Sequence, residues 1–299
     1  MKILLTGKNG QVGRELQRTL APLGEVVAVG RADCDLARPD EIRSLVRGVE
    51  PDVIVNPAAY TAVDRAETEK ESAFAVNGVA PGILGEEAAG LSALVVHYST
   101  DYVFDGEKAT PYTEDDIPNP LNVYGASKLA GERALRESGA DHLILRTGWV
   151  FGAHGNNFPK TILRLAGEKA SLNVVADQFG APTSAALIAE VTGRILRRYR
   201  QADREAPTGV YHLVAGGVTT WHGCARAVVE IARGMGGKLE LDPENVRPVT
   251  TAEYPLPARR PANSRLDTHK LENAFALRLP GWRVGLEQVL GRILSSRGQ

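Results

Sequence analysis

Short apolar runs alternate with amphipathic stretches through the first half of the chain. Residues 2–6 make a run of strand length, closed by the segment Gly7-Lys-Asn-Gly10-Gln-Val-Gly13. Val12, Leu16, Leu20 and Leu23 then recur at helical spacing and predict a helix with one apolar side. Residues 25–29 predict a second strand. Pro39-Asp-Glu opens a helix that carries Ile42, Leu45, Val46 and Val49. Residues 53–56 predict a third strand, 72–89 an Ala-rich helix containing Asn77, 91–99 a fourth strand, 119–134 the start of a helix and 143–147 a fifth strand. Strict alternation of this kind argues βαβ units with right-handed crossovers around a parallel sheet.

After Phe151 the pattern loosens. Helical spacing returns at 160–167, 185–198, 221–233 and 285–294, with strands within 174–183 and over 208–213 and a Pro-rich extended stretch at 254–261. The fold expected is α/β: a Rossmann-type doubly wound parallel sheet over residues 1–151, and a smaller mixed α/β lobe for substrate over 152–299. Segments of the second part are expected to return to the first. There is no internal repeat and no low-complexity tract.

Composition narrows the function more than the fold. The formal net charge is −1, which gives no electrostatic footprint for nucleic acid or an anionic membrane. The longest apolar runs are far too short to span a bilayer. Met1 leads straight into strand-like sequence rather than a signal peptide, so a cytoplasmic location is expected. Cys34 and Cys224 have no metal spacing, and the six histidines are scattered, so a zinc site is not expected. Trp221 and Trp282 are expected to be packing residues.

Ligands of open parallel sheets bind beyond the carboxyl ends of the strands. Gly7, Arg31, Ala58, Thr100 and Trp149 all follow predicted strands there. Gly7 suits a tight turn, Gly10 a close approach to a pyrophosphate, and Gly13 close packing of helix on strand. The spacing is G-x-x-G-x-x-G. Arg31 suits a ribose 2′-phosphate and equally an exposed loop; Asp33 and Asp35 nearby suit a free 2′-hydroxyl. Farther on, Ser99-Thr-Asp-Tyr-Val-Phe-Asp-Gly106 leads to Tyr124-Gly-Ala-Ser-Lys128. Residues four apart share a helix face, so Tyr124 and Lys128 point the same way. An ammonium beside a phenol is expected to lower its pKa and ready it for proton transfer to a carbonyl oxygen, with the Thr100 hydroxyl on the same oxygen.

These motifs resemble the extended short-chain dehydrogenase/reductase family. Four further blocks resemble the dTDP-4-dehydrorhamnose reductases within it: Asn56-Pro-Ala-Ala-Tyr-Thr-Ala-Val-Asp-Arg-Ala-Glu67, Ser99 to Gly106, Asp177-Gln-Phe-Gly-Ala-Pro-Thr183 and Arg260-Pro-Ala-Asn-Ser-Arg-Leu-Asp267. They span nearly the whole chain in order. Pro57 and the pair Lys8-Asn9 depart from the family's pattern without touching the chemistry.

The resemblance implies NADPH-dependent reduction, with NADH as a substitute, of the 4-keto group of dTDP-4-dehydro-6-deoxy-L-mannose to dTDP-L-rhamnose. It implies Thr100, Tyr124 and Lys128 as catalytic residues. Gly7, Gly10, Gln11, Val12, Arg31, Asp35, Leu36, Ala58, Ala59 and Tyr60 would line the cofactor, together with Tyr124 and Lys128. Val63, Asp64, Thr100, Asp101, Tyr102, Trp149 and Arg260 would meet the sugar nucleotide, Arg260 at its diphosphate. Glu15 stands where some family members hold Mg2+ at a homodimer interface; an exposed helix glutamate near a favourable N-terminal dipole is the preferred reading. Two alternatives share these motifs. One is a 4-ketoreductase for another dTDP-deoxysugar, and the other a non-catalytic NADP-binding subunit resembling the methionine adenosyltransferase beta subunit.

Overall fold

The computed structural model describes residues 1–202 and 207–297. The first half runs β1 (Lys2–Leu5), α1 (Gln11–Leu20), β2 (Glu25–Ala28), α2 (Pro39–Val49), β3 (Val53–Asn56), α3 (Val63–Ala66), α4 (Lys70–Phe74), α5 (Ala80–Leu91), β4 (Leu94–Thr100), α6 (Val123–Glu137) and β5 (His142–Thr147). The second half runs β6 (Val150–Phe151), α7 (Phe158–Ala166), β7 (Leu172–Val175), β8 (Phe179–Gly180), β9 (Thr183–Ser184), α8 (Ala185–Gln201), β10 (Gly209–His212), β11 (Thr219–Thr220), α9 (Trp221–Gly234), β12 (Val246–Val249), α10 (His269–Phe275) and α11 (Trp282–Arg297). Among the described residues no helix is long and apolar enough to cross a membrane.

Six strands form one sheet in the order β10-β5-β4-β3-β1-β2, every neighbouring pair parallel. The chain leaves β1 in one direction to β2 and returns in the other to β3, so the order reverses between β1 and β3. A crevice opens at the carboxyl ends of such a pair. The strands read as unbroken apolar runs because helices cover both faces. Ile3, Leu5, Val53, Val55, Leu143 and Leu145 pack towards Leu16 and Leu20 of α1 and Ile188 and Ile195 of α8. The alternate residues Leu4, Ile54, Val95 and Ile144 pack towards Ile42 and Val46 of α2, Leu84 of α5 and Leu135 of α6. The two-residue period of a strand sorts its side chains between these two cores.

A separate core joins Ile162 and Leu163 of α7, Leu172 and Val174 of β7, Val228 and Val229 of α9, and Leu286 and Leu290 of α11. β12 pairs with β7 in parallel beside it.

Two predicted helices begin or run differently. The helix expected over 72–89 is broken by a π-helical turn at Ala75–Val79. Pro81 follows, and it lacks the N–H that would bond back to the Asn77 carbonyl. Asn77 is turned inwards, where its side chain accepts from the Tyr60 N–H (2.8 Å) and donates to the Tyr60 carbonyl and the Ser127 hydroxyl, each at 3.0 Å. The helix expected from residue 119 starts at Val123, because Asn122 caps it by accepting from the Gly125 N–H at 2.8 Å.

Candidate active site

A cavity of about 1050 Å³ opens along the carboxyl ends of the strands, and its floor is where the order reverses. That volume stands at the upper end of small-molecule sites, which run to about 300–1,000 Å³. Gly7 forms the tight turn after β1 with φ +58, and a Cβ there would stand 2.9 Å from the Ala58 backbone. A Cβ on Gly13 would run into the Gly7 carbonyl, so α1 is held directly against the turn. Gly10 caps α1 without a side-chain hydrogen bond, which leaves the first-turn amides facing a ligand. Gly7, Gly10, Gln11 and Val12 line this end of the cavity, with Ala58, Ala59 and Tyr60 after β3 and Arg31, Asp35 and Leu36 after β2.

The charges after β2 are paired. Lys8 Nζ lies 2.7 Å from Asp33, which also accepts from the Gly30 N–H at 2.8 Å. Arg31 reaches Asp35 at 3.3 Å while its side chain stays 86% exposed. The Arg31 guanidinium is therefore free to turn towards a ligand.

Thr100 ends β4, Tyr124 sits in the first turn of α6 and Lys128 one turn later; all three line the cavity. The Thr100 hydroxyl donates to Asp101 Oδ1 at 2.9 Å and accepts from the Tyr102 N–H at 3.1 Å. Burial, then the neighbouring Asp101 charge, push the Tyr124 phenol up to about 12, and the Thr100 hydroxyl pulls against that. This corrects the expectation that Lys128 lowers Tyr124. The Lys128 ammonium is turned to His97 Nε2, 3.2 Å away, and burial brings its own pKa down to about 8 despite the charge of Glu132. Burial raises Asp101 to about 6.

The other end of the cavity is aromatic. Tyr102 meets Tyr124 edge to face at 5.9 Å. Trp149 takes φ +51, a left-handed conformation rare for so bulky a residue. Its indole lies flat on Trp221, with ring centres 3.5 Å apart and planes 6° apart, above a strand β8 that tolerates only glycine at 180. Trp221 thus lines the cavity instead of simply filling a core. Ser99 Oγ, Asp101 Oδ2 and Thr147 Oγ1 are buried in the same walls without a hydrogen-bond partner among the described residues. Buried polar atoms of this kind point to a polar ligand.

Val63 lines the cavity as expected, but Asp64 and Arg260 do not. They hold each other through a two-pronged pair at 2.6 and 2.8 Å, with Asp64 also accepting from the Ala258 N–H at 3.1 Å. The carboxylate at Asp64 satisfies the guanidinium that the sequence argument reserved for a diphosphate.

A family model described as RmlD substrate binding domain matches residues 1–295. A dTDP-4-dehydrorhamnose reductase of Burkholderia thailandensis is 49% identical over 297 residues, covering 99% of this chain and 100% of the relative. The chain belongs to the dTDP-4-dehydrorhamnose reductase family. Among solved structures, a family member from Clostridium acetobutylicum superposes with a TM-score of 0.89 at 34% identity, covering 98% of this chain and 100% of that one. Another, from Bacillus anthracis in complex with NADP, gives 0.86 at 33% identity, covering 97% and 99%.

The magnesium site that the family suggested does not fit the residues present. Glu15 is buried and pairs with Arg292 at 3.1 Å and Arg18 at 3.5 Å. Two guanidinium groups occupy the place of a cation. Among the described residues, no three His, Cys, Asp or Glu side chains gather as a metal site. Sequence reasoning also missed Trp221, Asn157 and His97. Asn157 donates to Gln11 Oε1 at 2.8 Å and caps α7, and the order Asn-Phe-Pro was a readable signal for that cap. For Trp221 and His97 there was none, because their neighbours come from distant elements.

Proposed function

We propose that the protein reduces the 4-keto group of dTDP-4-dehydro-6-deoxy-L-mannose to give dTDP-L-rhamnose, with NADPH as the reductant. The observation that supports this most is that Tyr124 and Lys128 of one helix open into the same cavity as the uncapped glycine turn. NADPH would supply the hydride. The first-turn amides of α1 would receive its diphosphate, and Gly7, Ala58 and Ala59 would leave room for close contact. Arg31 would turn from Asp35 to the 2′-phosphate, a group that suits a guanidinium. NADH would bind more weakly through the same walls.

On the sugar side, Tyr124 hands its phenolic proton to the oxygen of the former ketone. A phenol held near 12 is fully protonated at neutral pH, as a proton donor must be. Thr100 moves its proton from Asp101 to that oxygen and orients it. The Lys128 ammonium, charged below about 8, would donate to the ribose hydroxyls of the cofactor. Asp101, Tyr102 and Trp149 contact the sugar ring.

The test is NADPH consumption with the 4-keto sugar nucleotide generated in place, followed by NMR of the product. Turnover to dTDP-L-rhamnose is the expected result. A product of the other C4 configuration would assign a different deoxysugar, and NADPH binding without turnover would overturn the reductase reading.

A further inference from the structure

A buried polar row lies beneath the cavity. Thr6, Asn56 and His97 each stand two residues beyond a core residue of the same sheet face: Leu4, Ile54 and Val95. Asn56 and His97 are directly paired between β3 and β4, and the Thr6 N–H bonds the Val55 carbonyl at 3.0 Å. The Thr6 hydroxyl donates to Asn56 Oδ1 at 2.6 Å. Asn56 Nδ2 meets His97 Nδ1 at 3.1 Å, and His97 Nε2 meets Lys128 Nζ at 3.2 Å. His97 and Lys128 are each only 1% exposed. Among the described residues, His97 is the one hydrogen-bond partner of Lys128 Nζ.

We infer that His97 is a positioning residue that holds Lys128 at the cavity floor in both of its charge states, reversing the direction of their hydrogen bond through the Asn56 amide. The argument is one of proton count. A neutral imidazole carries a single N–H, and an ammonium has donors only. A charged Lys128 therefore needs His97 Nε2 as acceptor. Nδ1 then carries the proton and donates to the amide oxygen of Asn56, whose NH2 turns to the Thr6 hydroxyl. When Lys128 is a neutral amine, the amide turns over: Thr6 donates to its oxygen, its NH2 donates to Nδ1, and Nε2–H donates to Nζ. Both arrangements give His97 a partner at each ring nitrogen; the Thr6 hydroxyl proton is left over only in the first. Asn56 and His97, each 1% exposed, lie behind the cavity wall, where water does not replace these partners.

The charged groups that bear on this row are few. His97 faces Lys128 and Asn56, and burial keeps the imidazole neutral. Lys128 faces His97 and feels Glu132 one turn further along α6. Tyr124 and Asp101 lie on the cavity side.

The first test needs neither variant nor turnover. Imidazole nitrogen NMR of the wild-type protein with NADP bound should show His97 protonated at Nδ1 at neutral pH and at Nε2 once Lys128 has lost its charge. A single tautomer across that range would overturn the inference. The second test rests on the reductase reading and uses the two amides that imitate one imidazole nitrogen each. His97→Asn keeps a group at Nδ1 and loses the Lys128 contact; His97→Gln restores a group at Nε2. His97→Asn should lower kcat at least about tenfold and move the alkaline limb of its pH profile about one unit lower, with KM for the sugar nucleotide little changed. His97→Gln should recover most of the turnover and the position of the limb. Equal losses in both variants, in step with equal losses of melting temperature, would leave His97 merely structural. A wild-type protein that binds NADP without turnover would sink the reductase reading alone, since the NMR result stands apart from it.

Discussion

Helix α6 carries two adjacent regions that treat a buried cation in opposite ways. At one turn, Lys128 has a neutral histidine as its partner and a pKa brought down to about 8. At the next, Glu132 takes Arg146 of β5 in a two-pronged ion pair at 2.9 and 2.7 Å, both side chains buried. The second arrangement ties helix to sheet, with Arg146 also lying over the Phe104 ring at 5.1 Å. The first leaves the charge undercompensated and adjustable. An opposite charge locks a buried cation, whereas a neutral acceptor keeps its proton labile. Tyr124, Lys128 and Glu132 follow at intervals of four, so one helix face runs from open cavity to sealed core.

The comparison can be broken in four places. The largest effect should come from Tyr124→Phe, which removes the proton donor. Turnover should fall about 10²–10⁴-fold, while NADPH affinity by fluorescence titration stays within a few-fold; near-normal turnover would end the acid role. Glu132→Gln comes next. It strands Arg146 in the core and should cost about 3–5 kcal/mol of stability in urea denaturation. A loss below about 1 kcal/mol would show that the pair is no stronger than a surface one.

The third prediction concerns pH. Lys128 titrates near 8 in the folded chain and at 10.5 unfolded, so between those values the unfolded state binds more protons. Its contribution to stability should therefore rise with pH across that window, at up to about 1.4 kcal/mol per pH unit, just where turnover falls. Lys128→Met should abolish both trends; unchanged pH profiles of melting temperature and rate in that variant would refute the assignment. The smallest effect is expected from Arg31→Ala. Its exposed guanidinium should matter to NADPH by about tenfold and to NADH hardly at all, and equal losses for both would contradict a 2′-phosphate contact.

Much of this was readable from local patterns. The glycine turn, the strands after which ligands bind and the i, i+4 pair on α6 are short-range features, and each lies where its spacing places it. What local patterns did not show has long-range causes. Pro81 and Asn77 break a helix that Ala-rich composition favoured. Asp64 claims Arg260 from 196 residues away, and Arg292 claims Glu15 from 277 away. In both cases a charge assigned to a ligand meets its partner within the fold.

By itself the sequence determined the alternation of strand and helix, the parallel sheet and the residues that come to its carboxyl edge, because these follow from periodicity and turn chemistry within a few positions. Only the tertiary structure decided what each polar group faces. Tyr124 is raised instead of lowered, Lys128 answers to His97, and Trp149 stacks on Trp221. Burial and partner identity are properties of the packed chain, and no spacing along the sequence encodes the desolvation that sets a pKa.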